Sequence, residues 1–287
     1  IDQQYLEFIR RIIPRFEMAF HGVDHSWIDQ GCQKVVLEFA NLDNVVGSDL
    51  LRITKEFQEN TKLQFHGGKF PGYRYNQNAL TFIKNMQAEW WAFDSHMLNN
   101  VSKQNDLSWK PNMDVVAIPS NVSGDIFKSY NQGGYSLKRL IKEIFLNGNK
   151  DQPAVILKTL YDNGYPIIIQ EHFQNQTTNG NRQTPNIFDD INSVESIYEY
   201  IRGLDIWHTN CTNLARCYES YLHSTINKIN QNQFSIEYRG KNTRAHLTIK
   251  CNNAQLLQQE SNTKFQGIFK NGMWVFNDMP VGTYIFS

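Results

Sequence analysis

Asp205-Ile206-Trp207-His208-Thr209-Asn210-Cys211 opens the stretch in which the spacing of apolar residues changes from helical to strand-like. After Thr209, a predicted N-cap, Leu214, Cys217, Tyr218, Tyr221, Leu222 and Ile226 share one helical face, which predicts a helix to about Ile229. Cys217 and Tyr221 stand one turn apart on it. Beyond Asn230 the period becomes two. Phe234, Ile236 and Tyr238 alternate with polar residues, Arg239-Gly240-Lys241-Asn242 supplies a turn, and Ala245, Leu247 and Ile249 alternate back. That pattern predicts a hairpin with one apolar face. A strand over 255–260 and strand-like pieces at 273–276 and 283–286 would complete a small antiparallel sheet packed on the helix, an α+β arrangement.

Upstream, helix dominates the pattern. Tyr5, Phe8, Ile9, Ile12, Ile13 and Phe16 recur at helical spacing, and further helices are predicted over 26–42, 48–60 and 78–101. The last carries Phe82, Ile83, Met86, Trp90, Phe93 and Met97 on one face, while Trp91 falls off it and reads as a second packing contact or a partner surface. His66-Gly67-Gly68-Lys69-Phe70-Pro71-Gly72-Tyr73 interrupts these helices. It lacks the spacing of a phosphate-binding loop and reads as an ordinary connection rather than a ligand cradle. Strands are predicted over 114–119 and 165–173, helices over 136–146, 154–163 and 188–204, and a polar boundary over 177–185. The chain therefore divides into a mainly helical region 1–113, a mixed region 114–186 and a helix-plus-sheet module 187–287.

The 287 residues are enough to bury a substantial core, and a hydrophobic content of 40% excludes global disorder. Lys and Arg together number 28, as do Asp and Glu, so the chain has no basic surplus and any nucleic-acid contact must be local. Four cysteines are too sparse for a disulfide scaffold and point to a reducing, cytoplasmic setting. No apolar run approaches membrane-spanning length, so no membrane contact is expected.

Several groups carry the atom types of chemistry. His208, Cys211, Cys217 and Cys251 could ligate zinc, the one cofactor suggested, although no Cys-x2-Cys knuckle is present. Cys211 or Cys217 could act as a nucleophile with His208 or His223 as base. Glu171 and His172 follow a strand in the manner of a metal-dependent nuclease, but a converging acidic partner is missing. His21 and His25 read as surface or packing residues, and Lys138, Arg139 and Lys142 as a solvated helix face. Arg244, His246 and Lys250 form a basic row, with Thr248 among them, on the polar side of the second hairpin strand. Such a row could meet a phosphate backbone.

The order Cys217-x3-Tyr221, then Arg244-Ala245-His246-Leu247-Thr248-Ile249, then Gln258 and Asn262, resembles the PcfJ-like proteins of conjugative plasmids and other bacterial mobile elements. The resemblance covers residues 208–265. It departs from the family at Arg216, where members carry His, and at Glu260-Ser261, where a Gly is usual. It implies Cys217, Tyr221, Gln258 and Asn262 as a candidate site, and a mobile-element or defence setting. The resulting expectation is an accessory protein binding nucleic acid or a partner protein through the module's polar face. An enzyme with a thiol or zinc centre near Cys211 and Cys217, and a structural subunit, stay open as alternatives, with any small-molecule substrate undefined.

Overall fold

A computed structural model describes residues 3–13, 16–29, 34–94, 106–128, 153–173, 182–240, 244–249, 255–270 and 273–286. The fold is mixed α+β, and the chain divides into two compact units, Ile1–His208 and Thr209–Ser287. The sequence boundaries at 113/114 and 186/187 both fall inside the first unit. Among the described residues, no helix is long and apolar enough to cross a membrane.

The first unit begins with α1 (Gln3–Ile12), whose Leu6 and Ile9 are buried against Leu63. β1 (Ser26–Asp29) and β2 (Lys34–Leu37) then pair antiparallel where the apolar spacing predicts a helix over 26–42. Trp27-Ile28 and Val35-Val36 are aromatic and β-branched pairs, which pack better on a pleated surface than in a helical turn. α2 (Asn44–Thr61) contains the predicted helix 48–60 and starts earlier, because the Asp43 carboxylate accepts from the N–H groups of Val45 and Val46, each at 2.8 Å.

Next comes a four-stranded sheet in the order β3 (Gly67–Lys69), β4 (Trp90–Asp94), β6 (Val115–Ser120), β5 (Ser108–Lys110). β3, β4 and β6 run parallel and β5 antiparallel to β6. Phe20 extends the parallel edge by bridging Gly68. α3 (Gln77–Met86), capped by Asn76, connects β3 to β4 and ends at Gln87, whose φ is 59°. The predicted helix 78–101 is therefore a helix followed by a strand, and its part beyond Asp94 lies outside the described residues. Trp90-Trp91-Ala92-Phe93 misleads because a strand covered on both faces reads as a continuous apolar run, which mimics a helical stripe when it follows one. Trp91 is completely buried rather than a partner surface, packing on Phe20 and Phe70 with ring centroids 6.4 and 4.9 Å away. These rings join Phe39, Phe82 and Ile83 in the main core.

β7 (Val122–Ser123) follows β6 and pairs in parallel with β8 (Ile169–Gln170). The strand predicted over 165–173 is this short because the Asn121 side chain replaces part of the ladder, accepting from Ile168 N–H at 3.0 Å and donating to the Pro166 carbonyl at 2.8 Å. α4 (Pro153–Asp162) and α5 (Ile187–Arg202) agree closely with the predicted helices 154–163 and 188–204, and bury Leu157, Leu160 and Ile197 with Val122. The helix predicted over 136–146, with Lys138, Arg139 and Lys142, lies outside the described residues.

The second unit opens with α6 (Cys211–His223), capped by Asn210 rather than Thr209; the Asn210 side chain accepts from Asn213 N–H at 2.8 Å. α6 ends at His223 instead of about Ile229, because β9 (Ser224–Lys228) follows immediately. β10 (Gln233–Tyr238) pairs with β9 and with β16 (Gly282–Phe286), whereas β11 (Arg244–Ile249) pairs with β15 (Met273–Pro280). The predicted hairpin of β10 with β11 is thus corrected: alternation specifies which face of a strand is buried, not which strand lies beside it. β12 (Gln255–Gln258) and β13 (Thr263–Gln266) form a hairpin, and β14 (Ile268–Lys270) pairs with β15. The result is two antiparallel sheets, β13-β12-β16-β10-β9 and β11-β15-β14, around Phe234, Ile236, Leu256, Phe276, Met279 and Tyr284.

Candidate functional site

The residues singled out in the second unit take different roles. Cys211 and Cys217 are half-buried and not joined in a disulfide, and burial raises the pKa of Cys217, the opposite of what an activated thiolate needs. Tyr221 is 79% exposed. Gln258 is buried, its amide donating to the Val281 carbonyl at 2.9 Å and accepting from the Ser261 hydroxyl at 2.6 Å, while Asn262 (φ 54°) sits in the β12–β13 turn. Gln258 and Asn262 therefore shape this turn. Among the described residues no three His, Cys, Asp or Glu side chains are grouped to hold a metal; His208 falls in the first unit and Cys251 lies outside the described residues. Arg244 and His246 stand on β11, but their side chains, and Lys250 altogether, lie outside the described residues.

A denser polar constellation lies in the first unit, at the carboxyl end of the parallel strands. Lys69 ends β3, Asp94 ends β4, Ser120 ends β6 and Gln170 ends β8. Open parallel sheets bind ligands at this edge, where the strands deliver side chains from distant parts of the chain. The glycines before Lys69 are needed for packing. A Cβ on Gly68 would collide with the Phe20 carbonyl oxygen and one on Gly67 with the Trp90 indole. Their backbone belongs to the ladder, so His66-Gly67-Gly68 does not cradle phosphate; it sets Lys69 in place.

Lys69 and Tyr73 face each other, with Nζ 4.4 Å from the phenol ring centroid. The Tyr73 hydroxyl donates to the Gln170 side-chain oxygen and shares a hydrogen bond with Ser120, tying β8 and β6 to the same point. Tyr73 adopts φ 56° directly after Gly72 at φ 55°. A left-handed aromatic residue costs roughly 1–2 kcal/mol, and such conformations gather where a side chain must be aimed. Burial pushes the Tyr73 phenol up to about 12, so it stays protonated, and pushes Lys69 down to about 8 against the opposing influence of Asp94. The Lys69 amine is half-buried and makes no hydrogen bond or ion pair among the described residues.

Two imidazoles, His21 and His25, lie within electrostatic reach of this lysine, and His172 lies within reach of both of them. His21 Nδ1 meets the Lys69 carbonyl at 2.9 Å, and its ring lies 5.2 Å from that of His25 in an edge-on contact. Both imidazoles are held below the ordinary histidine range, first by the atoms packed around them and then by the positive charges of Lys69 and His172, although the His21 ring still reaches solvent. Their loop is pinned by Glu38, buried at 2% exposure, whose carboxylate accepts from Val23 N–H at 3.0 Å and, at 3.5 Å, from that of Asp24. Gly22 (φ 100°) passes so close that a Cβ there would collide with the Glu38 carboxylate. His172 is oriented by the Pro185 carbonyl, 2.6 Å from Nδ1.

Glu171, between Gln170 and His172, turns to the other side of β8. Both its oxygens are shut from solvent, with the His172 N–H the main group that partly offsets their burial. Burial, then the charge of Asp190, pushes its carboxyl up to about 7. Asp190 accepts from Asn186 N–H at 2.7 Å and pairs with Lys128 at 2.7 Å.

In the sequence His21 and His25 read together as surface or packing residues, His172 with Glu171 as possible metal-dependent nuclease residues, and the segment 66–73 as a connection. Lys69, Tyr73, Asp94, Ser120 and Gln170 carry no motif; the signal that could have found them is their place at the ends of apolar strands. No protein-family model matches this chain, and a comparison with curated proteins finds no match either.

Proposed function

We propose that the first unit binds a small anionic ligand, a carboxylate or an inorganic-type oxyanion, at the carboxyl edge of its parallel sheet. The observation that carries this reading is the half-buried Lys69 amine, which faces Tyr73 and lies within electrostatic reach of His21 and His25 yet has no acceptor among the described residues. A partly desolvated ammonium without a counter-charge in contact is costly, and an entering anion offsets that cost. The same anion favours protonation of His21 and His25, which turns neighbours that disfavour one another's charge into additional donors. Asp94, the carboxylate within electrostatic reach of Lys69, favours the charged amine, the form that an anion would meet.

Isothermal titration with sulfate and with glycolate tests the reading. Both should bind to the wild-type chain, and Lys69→Met should weaken them by about tenfold or more, the loss of one charge-assisted hydrogen bond. Unchanged affinity in a Lys69→Met protein that melts like the wild type would reject the site.

A further inference from the structure

We infer that Lys69 is a nucleophilic amine that captures the carbonyl carbon of a small oxo-acid as an imine, the anionic group of that ligand lying among His21, His25 and His172. This inference rests on the anion-binding reading of the same site and adds the reaction class. Its basis is geometric. The amine ends a strand in a half-buried position and touches the face of a phenol. Lys69 makes no ion pair among the described residues that would lock it in its charged form. A lysine held only as a structural cation is normally matched by a carboxylate at contact distance, as Lys128 is by Asp190 at 2.7 Å in this same unit.

The electrostatics point the same way. Burial favours the neutral amine and outweighs Asp94, which favours the charged one, as is usual for lysines that attack carbonyls. Near neutral pH a lysine at about 8 has a free-amine fraction roughly two orders of magnitude above that of a lysine at its ordinary value. Tyr73 keeps its proton through this range and presents its ring face to the nitrogen, while its hydroxyl stays bonded to Gln170, so the departing oxygen takes its protons from the amine through solvent. In the net reaction the Nζ lone pair forms the new C–N bond, the C–O bonds of the carbonyl break, and the oxygen leaves as water with both amine protons. Nothing is oxidised or reduced, and no further reactant is consumed.

The test is reductive trapping. The whole chain is incubated with glyoxylate at neutral pH, reduced with borohydride, and read by intact mass and peptide mapping, with glycolate as the ligand that lacks the carbonyl. The expected result is one reduced adduct, located on Lys69, formed at least about tenfold faster than on any exposed lysine. It should be absent from Lys69→Arg, and glycolate should compete with its formation. Adducts scattered over surface lysines, or an adduct undiminished in Lys69→Arg, would overturn the inference; the wild-type peptide map decides this even if the variant does not fold. Lys69-dependent binding of sulfate without trapping would overturn imine formation and leave the anion site standing. Absence of both would remove the two together.

Discussion

The oxygens of Glu171 lie against Gly124, in space that any side chain there would occupy, with Asp190 opposing their charge. A carboxyl raised to about 7 in the folded chain and ordinary in the unfolded one binds its proton more tightly when folded. Its contribution is full below the ordinary carboxylate range and is lost as pH rises through about 7. Glu171→Gln keeps the shape without the ionisation. Melting temperatures at about pH 5 and about pH 8 should therefore differ less in the variant than in the wild type. At the higher pH the variant should be the more stable protein, by about 1 kcal/mol once residual solvent screening is allowed for. A variant whose melting temperature falls in parallel with the wild type would show that Glu171 ionises without penalty. Glu38 is also raised by burial but differs in consequence, because its carboxylate accepts N–H groups from Val23 and Asp24. Glu38→Ala should release the loop carrying His21 and His25, costing about 2 kcal/mol for the donors left buried. Two-dimensional NMR of the imidazole protons should show His21 and His25 moving toward ordinary histidine titration.

Strand β3 is only three residues long, and two of them are glycines held between Phe20 on one side and Trp90 and Trp91 on the other. Backbone cannot yield as a flexible side chain does. Gly68→Ala should therefore destabilise the first unit by about 2–4 kcal/mol through overpacking and the loss of the Phe20 bridge, read as a lower urea midpoint with an unchanged slope. The elements that were legible in the sequence share one property: α2, α4 and α5 expose one face and bury the other, so their period survives in the sequence. β6 was legible for a different reason, being a short apolar run bounded by Asp114 and by Pro119-Ser120. β4 was not legible, since Trp90-Trp91-Ala92-Phe93 follows a real helix and extends its stripe. The pairing of β11 with β15 was not legible either, because register and partner depend on residues some thirty positions away. The same holds for the candidate site, to which β3, β4, β6 and β8 contribute one terminal side chain each.

The chain as a whole carries 28 basic and 28 acidic side chains, so no long-range field draws anions toward it. Attraction at the sheet edge must come from groups within about one Debye length, roughly 8 Å at physiological salt, chiefly Lys69, joined by His21 and His25 as they gain protons. This has a measurable consequence that overall electrostatic steering would not produce. His21 and His25 are held low in the free protein, so near neutral pH they are mainly neutral, and a bound dianion that favours their charged form must draw protons from solution. Sulfate does not titrate in this range, so any proton taken up belongs to the protein. Its binding heat, measured in buffers of different ionisation enthalpy, should report net proton uptake near pH 7. Affinity should strengthen as pH falls through the imidazole range and weaken as it rises past about 8, where Lys69 loses its charge. His25→Gln should reduce the proton uptake while leaving a Lys69-dependent affinity. Binding without proton uptake, and flat from about pH 6 to about pH 9, would mean that the imidazoles and Lys69 do not meet the ligand.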